Sequence, residues 1–238
     1  MQYSRRFFVT ALGLAPFAGR TQPIPACSTP SLGALSQRMG KAWLCMANAE
    51  LAAPARDVLA LSQTAFEQQL VQMSRSPAGP EQAGSLRALA RRYEDYQGLL
   101  RGTPAVEGQR ALLSTANEML TLVQLAATAS ATLPWQARLA SRQRLLSQRV
   151  ALLGLASQGV ESARRERQAA VYEFEAGQQT LRDATGAELR EQLALADAAW
   201  APLKDGVGSG RAVPVFVASE RLLAVMDAVT QHCARLNA

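Results

Sequence analysis

Leu35, Met39, Ala42, Trp43 and Met46 fall at i, i+4, i+7, i+8 and i+11, which lays one apolar stripe along a helix. Pro54 then opens a second helical stretch, where its missing N–H costs little, and Phe66, Leu70 and Met73 continue the stripe. Ser74 to Gly84, with two prolines and two glycines, reads as a loop. A third helix is expected from about Ser85 to Leu100, stopped by Gly102-Thr103-Pro104, and a fourth from about Val106 to Ala129. Beyond Pro134 the pattern starts again. Leu146, Val150 and Leu153 form a first apolar face, with Gly154 and Ser157 where Trp43 and Met46 stand earlier, and a Gly206-to-Gly210 turn precedes the last helix. Val213 to Val217 is strand-like in composition, yet after Pro214 it reads better as the opening of that last helix.

This recurrence is a duplication. Leu35-Ser36-Gln37-Arg38-Met39 returns as Leu146-Ser147-Gln148-Arg149-Val150, an offset of 111 residues. Phe66-Glu67 matches Phe174-Glu175 at 108, and Tyr96, Leu99 and Gly102 match Trp200, Leu203 and Gly206 at 104. Asn117-Glu118 aligns with Ser219-Glu220 at 102. The order is kept while the offset drifts, as small loop deletions produce. The expected fold is all-α, two tandem up-down four-helix-bundle modules covering residues 31–132 and 133–236.

The first helix of each copy has a second face. Gly33, Gln37, Gly40 and Leu44 point away from the core stripe, and Arg144, Gln148, Ala151 and Leu155 do so in the second copy. Small residues with one amide and one apolar side chain suit close approach by another helix, from the sister repeat or from a second chain, better than they suit water.

Composition supports helices. Apolar residues make up 48% and aromatics 5%, and β-branched runs are scarce. The formal charge is +6, and removing Arg5, Arg6 and Arg20 with the leader described next leaves +3. Basic residues are scattered rather than striped with aromatics, so nucleic acid is not an expected partner. Ser4-Arg5-Arg6-Phe7-Phe8 precedes a weakly apolar run to Ala18, too short to span a bilayer, which marks residues 1–26 as a twin-arginine-type signal peptide and places the protein in the periplasm. An ordinary amphipathic helix there would be broken by Pro16, Gly19, Pro23 and Pro25. An alternative, acylation of Cys27 as a lipoprotein, is opposed by Pro25 and Arg20. No later stretch is long and apolar enough to cross a membrane.

In an oxidising compartment Cys45 and Cys233 are either a disulfide tying the ends of the fold together or two buried thiols. One histidine, His232, has no ligand cluster around it, so neither a metal nor another cofactor is expected. Phosphate loops, nucleophile elbows and HExxH motifs are missing, and Glu173 and Glu175 point in different directions on a helix. Catalysis is not expected. A redox or enzymatic role is suggested only by the export route, which often carries cofactor-loaded proteins.

Ser141-Arg142-Gln143-Arg144-Leu145-Leu146-Ser147-Gln148-Arg149 resembles the first-helix motif of the PilJ-type and NarX-like periplasmic sensor domains, in two copies covering nearly all of residues 31 to 236. The resemblance implies a ligand-binding module in which two first helices meet around a small anion such as nitrate or nitrite. Arg144 would grip it, with Gln148 one turn on and Arg149 beside it, and Gln37 and Arg38 contributing from the first copy. The first copy departs from the pattern, with Gly33 in place of Arg144 and Leu32 in place of Gln143. A competing reading makes Arg38 and Arg149 helix-flank arginines that cover the core and pair with carboxylates. A competing function is a structural adaptor that docks on an envelope complex, or on a second copy, through the outward face.

Overall fold

The computed structural model describes residues 29–75, 77, 79–127, 134–184 and 186–235, so the expected leader and Cys27 lie outside the described residues. The fold is all-helical. The described residues form α1 (Thr29–Cys45), α2 (Ala52–Arg75), α3 (Pro80–Leu100), α4 (Val106–Ala126), α5 (Trp135–Ala156), α6 (Glu161–Ala184), α7 (Ala187–Ser209) and α8 (Ala212–Arg235). Among the described residues no helix is long and apolar enough to cross a membrane.

Two sequence expectations shift. α3 begins at Pro80 rather than near Ser85, because a proline at the first helical position is already set to the helical φ and needs no donor. The expected Gly206-to-Gly210 turn shrinks to its end. α7 continues through Gly206 to Ser209, and only Gly210, at φ 69°, takes the left-handed conformation that closes a helix. Gly206 stays helical because α8 crosses it closely: a Cβ there would lie 3.0 Å from Val215 Cγ2 and 3.2 Å from its backbone nitrogen. Pro214 sits in the first turn of α8, so the strand-like run is helical.

Each first helix is nearly surrounded. α1 packs on α2, α4 and α5, and α5 packs on α1, α6 and α8, while α3 lies on α4 and α7 on α8. One continuous apolar core runs from Leu32 to Cys233 through all eight of these helices. The second face therefore meets the sister helix. Gly40 permits this packing: a Cβ there would lie 2.7 Å from the Tyr96 hydroxyl and 3.2 Å from Leu152 Cδ1. Leu155, on the face expected to dock a partner, instead packs partly buried against the molecule's own core.

In each half an aromatic ring from the third helix stacks on the phenylalanine of the second and donates to the glutamate that follows it. Phe66 stacks on Tyr93 at 4.4 Å, and Phe174 on Trp200 at 4.1 Å, between ring centroids. Tyr93 Oη donates to Glu67 and Trp200 Nε1 to Glu175, each at 3.1 Å. Tyr96, which aligns with Trp200 in sequence, instead donates its hydroxyl to the Ser36 carbonyl at 2.8 Å. Cys45 and Cys233 are free, buried thiols in separate apolar clusters, which removes the disulfide alternative.

Two glycine substitutions are expected to move stability in opposite directions. A Cβ on Gly154 would meet Val207 Cβ at 2.7 Å, so Gly154→Ala overpacks the α5–α7 contact, a defect of about 1–3 kcal/mol that outweighs the helix-propensity gain of up to ~1 kcal/mol. Gly98 is an exposed position of α3 with open space beside it, so Gly98→Ala gains about 0.5–1 kcal/mol. Urea unfolding of the two variants checks both signs.

Candidate functional site

The repeated Ser-Gln-Arg segment builds the same local structure twice. Ser36 and Ser147 are buried and donate their hydroxyls back to the carbonyls of Gly33 and Arg144, at 2.8 and 2.7 Å. Gln37 and Gln148 each donate an amide N–H to the preceding serine hydroxyl at 3.3 Å. Each arginine then crosses to the last helix of the other half. Arg38 holds Glu220 of α8, with Nε to the two carboxylate oxygens at 3.0 and 3.1 Å and Nη2 to Oε2 at 2.5 Å, and Arg149 donates to Asn117 of α4 at 2.8 Å. The buried positions of the last helices, Leu112, Ala116, Met119 and Val123 against Val215, Ser219, Leu222 and Met226, set the structural offset at 103. Glu220 therefore corresponds to Asn117 rather than to Glu118.

Lys41 is the centre of a cluster where α1, α5 and α8 meet, and no motif marks it, since its counterpart in the second copy is Leu152. Its side chain has no solvent exposure. The ammonium donates to Gln148 Oε1 at 2.8 Å, Ser219 Oγ at 2.9 Å and Glu220 Oε1 at 2.5 Å, so three donors meet three acceptors. The Phe216 ring lies 5.2 Å from the nitrogen. Burial pushes the Lys41 pKa below the ordinary lysine range, against the pull of Glu220. For Glu220, burial alone would raise the pKa. The charge of Lys41 beside it and the Arg38 fork outweigh that and hold the carboxyl at about 2, below its ordinary 4.5. Cys45, one turn along α1, has its thiol pushed up to about 12, chiefly by burial, which leaves it chemically quiet.

The residues singled out from the sequence thus separate into three places. Arg38 and Gln148 meet in the Lys41–Glu220 cluster, where Gln148 also donates to the Ser219 carbonyl at 2.8 Å. Gln37 is buried alongside on α1, and its Oε1 has no donor among the described residues, because the lysine that serves Gln148 is Leu152 on the other side. Arg149 lies on the α4 and α6 side, with Glu166 at 2.7 Å and Asn117 at 2.8 Å, and burial disfavours its charged form. Arg144 faces α8. Its Nη1 donates to Asp227 at 2.6 Å, while Nε and Nη2, on a side chain only 14% exposed, have no hydrogen-bond partner among the described residues. Arg38 uses the same Nε–Nη2 edge to hold Glu220, and Arg142 uses it to hold Glu173. Ser141, one turn earlier on α5, is buried with an unpartnered hydroxyl.

A second polar feature lies between α5 and α6, and of its two residues the sequence singles out only Gln143, against Leu32. Gln143 and Gln178 are buried with their amides unpartnered, at the positions where the first copy has Leu32 and Leu70. A comparison of the two copies at core positions is the signal that finds them. Searches against family models, curated proteins and solved structures give no match to this chain.

The place where the two Ser-Gln-Arg helices meet is therefore occupied by the protein's own carboxylate. Its contribution has a definite pH dependence. Glu220 has a depressed folded pKa, so its stabilisation is complete above 4.5 and is lost as pH falls from there toward about 2. Glu220→Gln, which leaves Lys41 buried without its counter-charge, is expected to cost on the order of 3 kcal/mol near neutral pH and to flatten the acid limb of the stability curve. Urea midpoints measured across that range for both proteins test it.

Proposed function

We propose that this chain is an exported, non-catalytic sensory protein of the periplasm, made of two copies of a four-helix unit, that binds a small planar oxyanion at Arg144 and passes its state to a partner. The repeated Ser-Gln-Arg segment and the pairing of α1 with α5 support a likeness to sensor modules in which two first helices meet around the ligand. The observation that carries the ligand reading is the unpartnered Nε–Nη2 edge of Arg144, with the Ser141 hydroxyl on the same face of α5. Two parallel N–H donors in a largely water-excluded place match the geometry of nitrate, nitrite or a carboxylate, and charge-assisted bonds of this kind contribute about 1.5–3 kcal/mol each.

The asymmetry of the copies supports one such site per chain, since Gly33 stands where Arg144 would be in the first. Asp227 pairs with the far nitrogen and orients the fork without consuming its anion-binding edge. Thermal-shift and calorimetric titration with nitrate, nitrite and formate is expected to give saturable stabilisation by at least one of them. Arg144→Ala is expected to weaken that binding tenfold or more, the equivalent of about 1.4 kcal/mol. Folded wild-type protein that responds to none of the three ions overturns the reading.

A further inference from the structure

We infer that the cleft between α4, α5 and α6 is a second site, separate from Arg144, that takes a small zwitterion of the α-amino-acid class. The cleft has a volume of about 370 Å³, at the small end of the range of about 300–1,000 Å³ typical of ligand pockets. Its walls carry two guanidiniums and two carboxylates, already matched. Arg142 holds Glu173 through Nε at 2.6 Å and Nη2 at 3.0 Å, and Arg149 holds Glu166 at 2.7 Å. Asn117 accepts from Arg149 at 2.8 Å and donates to the same Glu166 oxygen at 3.2 Å.

The two halves of the molecule explain why this side is open. At the corresponding place around Arg38 the acceptor is Glu220, a carboxylate taken by both Nε and Nη2, and the neighbouring helix α2 presents Val58 and Ala65, which pack against the core. On the open side Glu220 is replaced by Asn117, while Val58 and Ala65 are replaced by Glu166 and Glu173. Arg149 thus keeps the position of an arginine that elsewhere in this protein holds a carboxylate end-to-end, but faces a neutral amide and a single glutamate oxygen. A ligand carboxylate completes that position, and the ligand's ammonium takes the carboxylates of Glu166 and Glu173.

Charge balance selects the ligand. A simple anion or cation would leave one wall charge uncompensated in a partly desolvated cleft, whereas a zwitterion exchanges into both ion pairs with no net change. Asn117, Thr121 and Gln124 offer the remaining polar contacts on α4.

Calorimetry of the intact chain with glycine, L-alanine and L-glutamine, and with acetate and methylammonium as carriers of one charge each, tests the site. Saturable binding of at least one amino acid is expected, with at least tenfold weaker binding of both one-charge controls. Arg149→Gln is expected to lose tenfold or more in amino-acid affinity. Ala169→Phe, which fills the cleft from an exposed position one turn from both Glu166 and Glu173, is expected to abolish binding in a protein whose circular dichroism is unchanged. Arg144→Ala is expected to leave amino-acid affinity within twofold, which separates this site from the oxyanion reading. Failure of all three amino acids to bind, or undiminished binding by folded Ala169→Phe, overturns the assignment.

Discussion

An ammonium cannot be taken out of water between three helices unless each of its N–H bonds finds an acceptor and its charge finds a counter-charge. Lys41 meets both conditions only where α1, α5 and α8 converge: Gln148 comes from α5, Ser219 and Glu220 from α8, and Arg38 completes the carboxylate's shell from α1. No displaced packing of α1 on α5 satisfies the same atoms. The close helix crossings at Gly40 and Gly154 already resist slides of one helix on another, and this cluster adds a requirement on the position of each polar atom. Together they fix the register of the two halves.

The same constraint breaks the symmetry of the duplication. A buried positive charge on one side requires Glu220, and its counterpart Asn117 needs no lysine, so Leu152 fills that space with hydrocarbon. The side bearing Lys41 is closed and spends its arginine internally. The other side has no such demand and keeps a cleft with arginines and glutamates on its wall. The two sides thus differ physically: one holds its charges in a closed cluster, and the other leaves polar groups along a cleft. The buried glutamines Gln143 and Gln178, set against Leu32 and Leu70, follow the same division.

Much of the fold was legible because it depends on local rules. Apolar spacing, Pro54, Pro134 and Pro214 marked helix stripes and starts, and the small residues of the first helices marked a face for another helix, with its partner, the sister helix, shown only by the structure. The errors came from local signals read without their partners. Pro80 was read as loop although it starts a helix, and Gly206 was read as a turn although the close crossing of α8 holds it helical. The candidate site was legible only in part. The Ser-Gln-Arg boxes and Arg144 were visible as motif, but Lys41 carried no motif, and an alignment one residue off hid the correspondence of Asn117 with Glu220.

By itself the sequence determined the helical class, and it marked a repeated motif and a second packing face on each first helix, since periodicity and side-chain size act within a few turns of chain. Only the tertiary structure decided where each charge goes. Arg38, Arg149, Arg144 and Lys41 lie within one repeated pattern, yet their partners are separated from them by tens to nearly two hundred residues. Which of these cations is saturated and which keeps a donor edge unpartnered is set by packing across the halves. No local pattern encodes that.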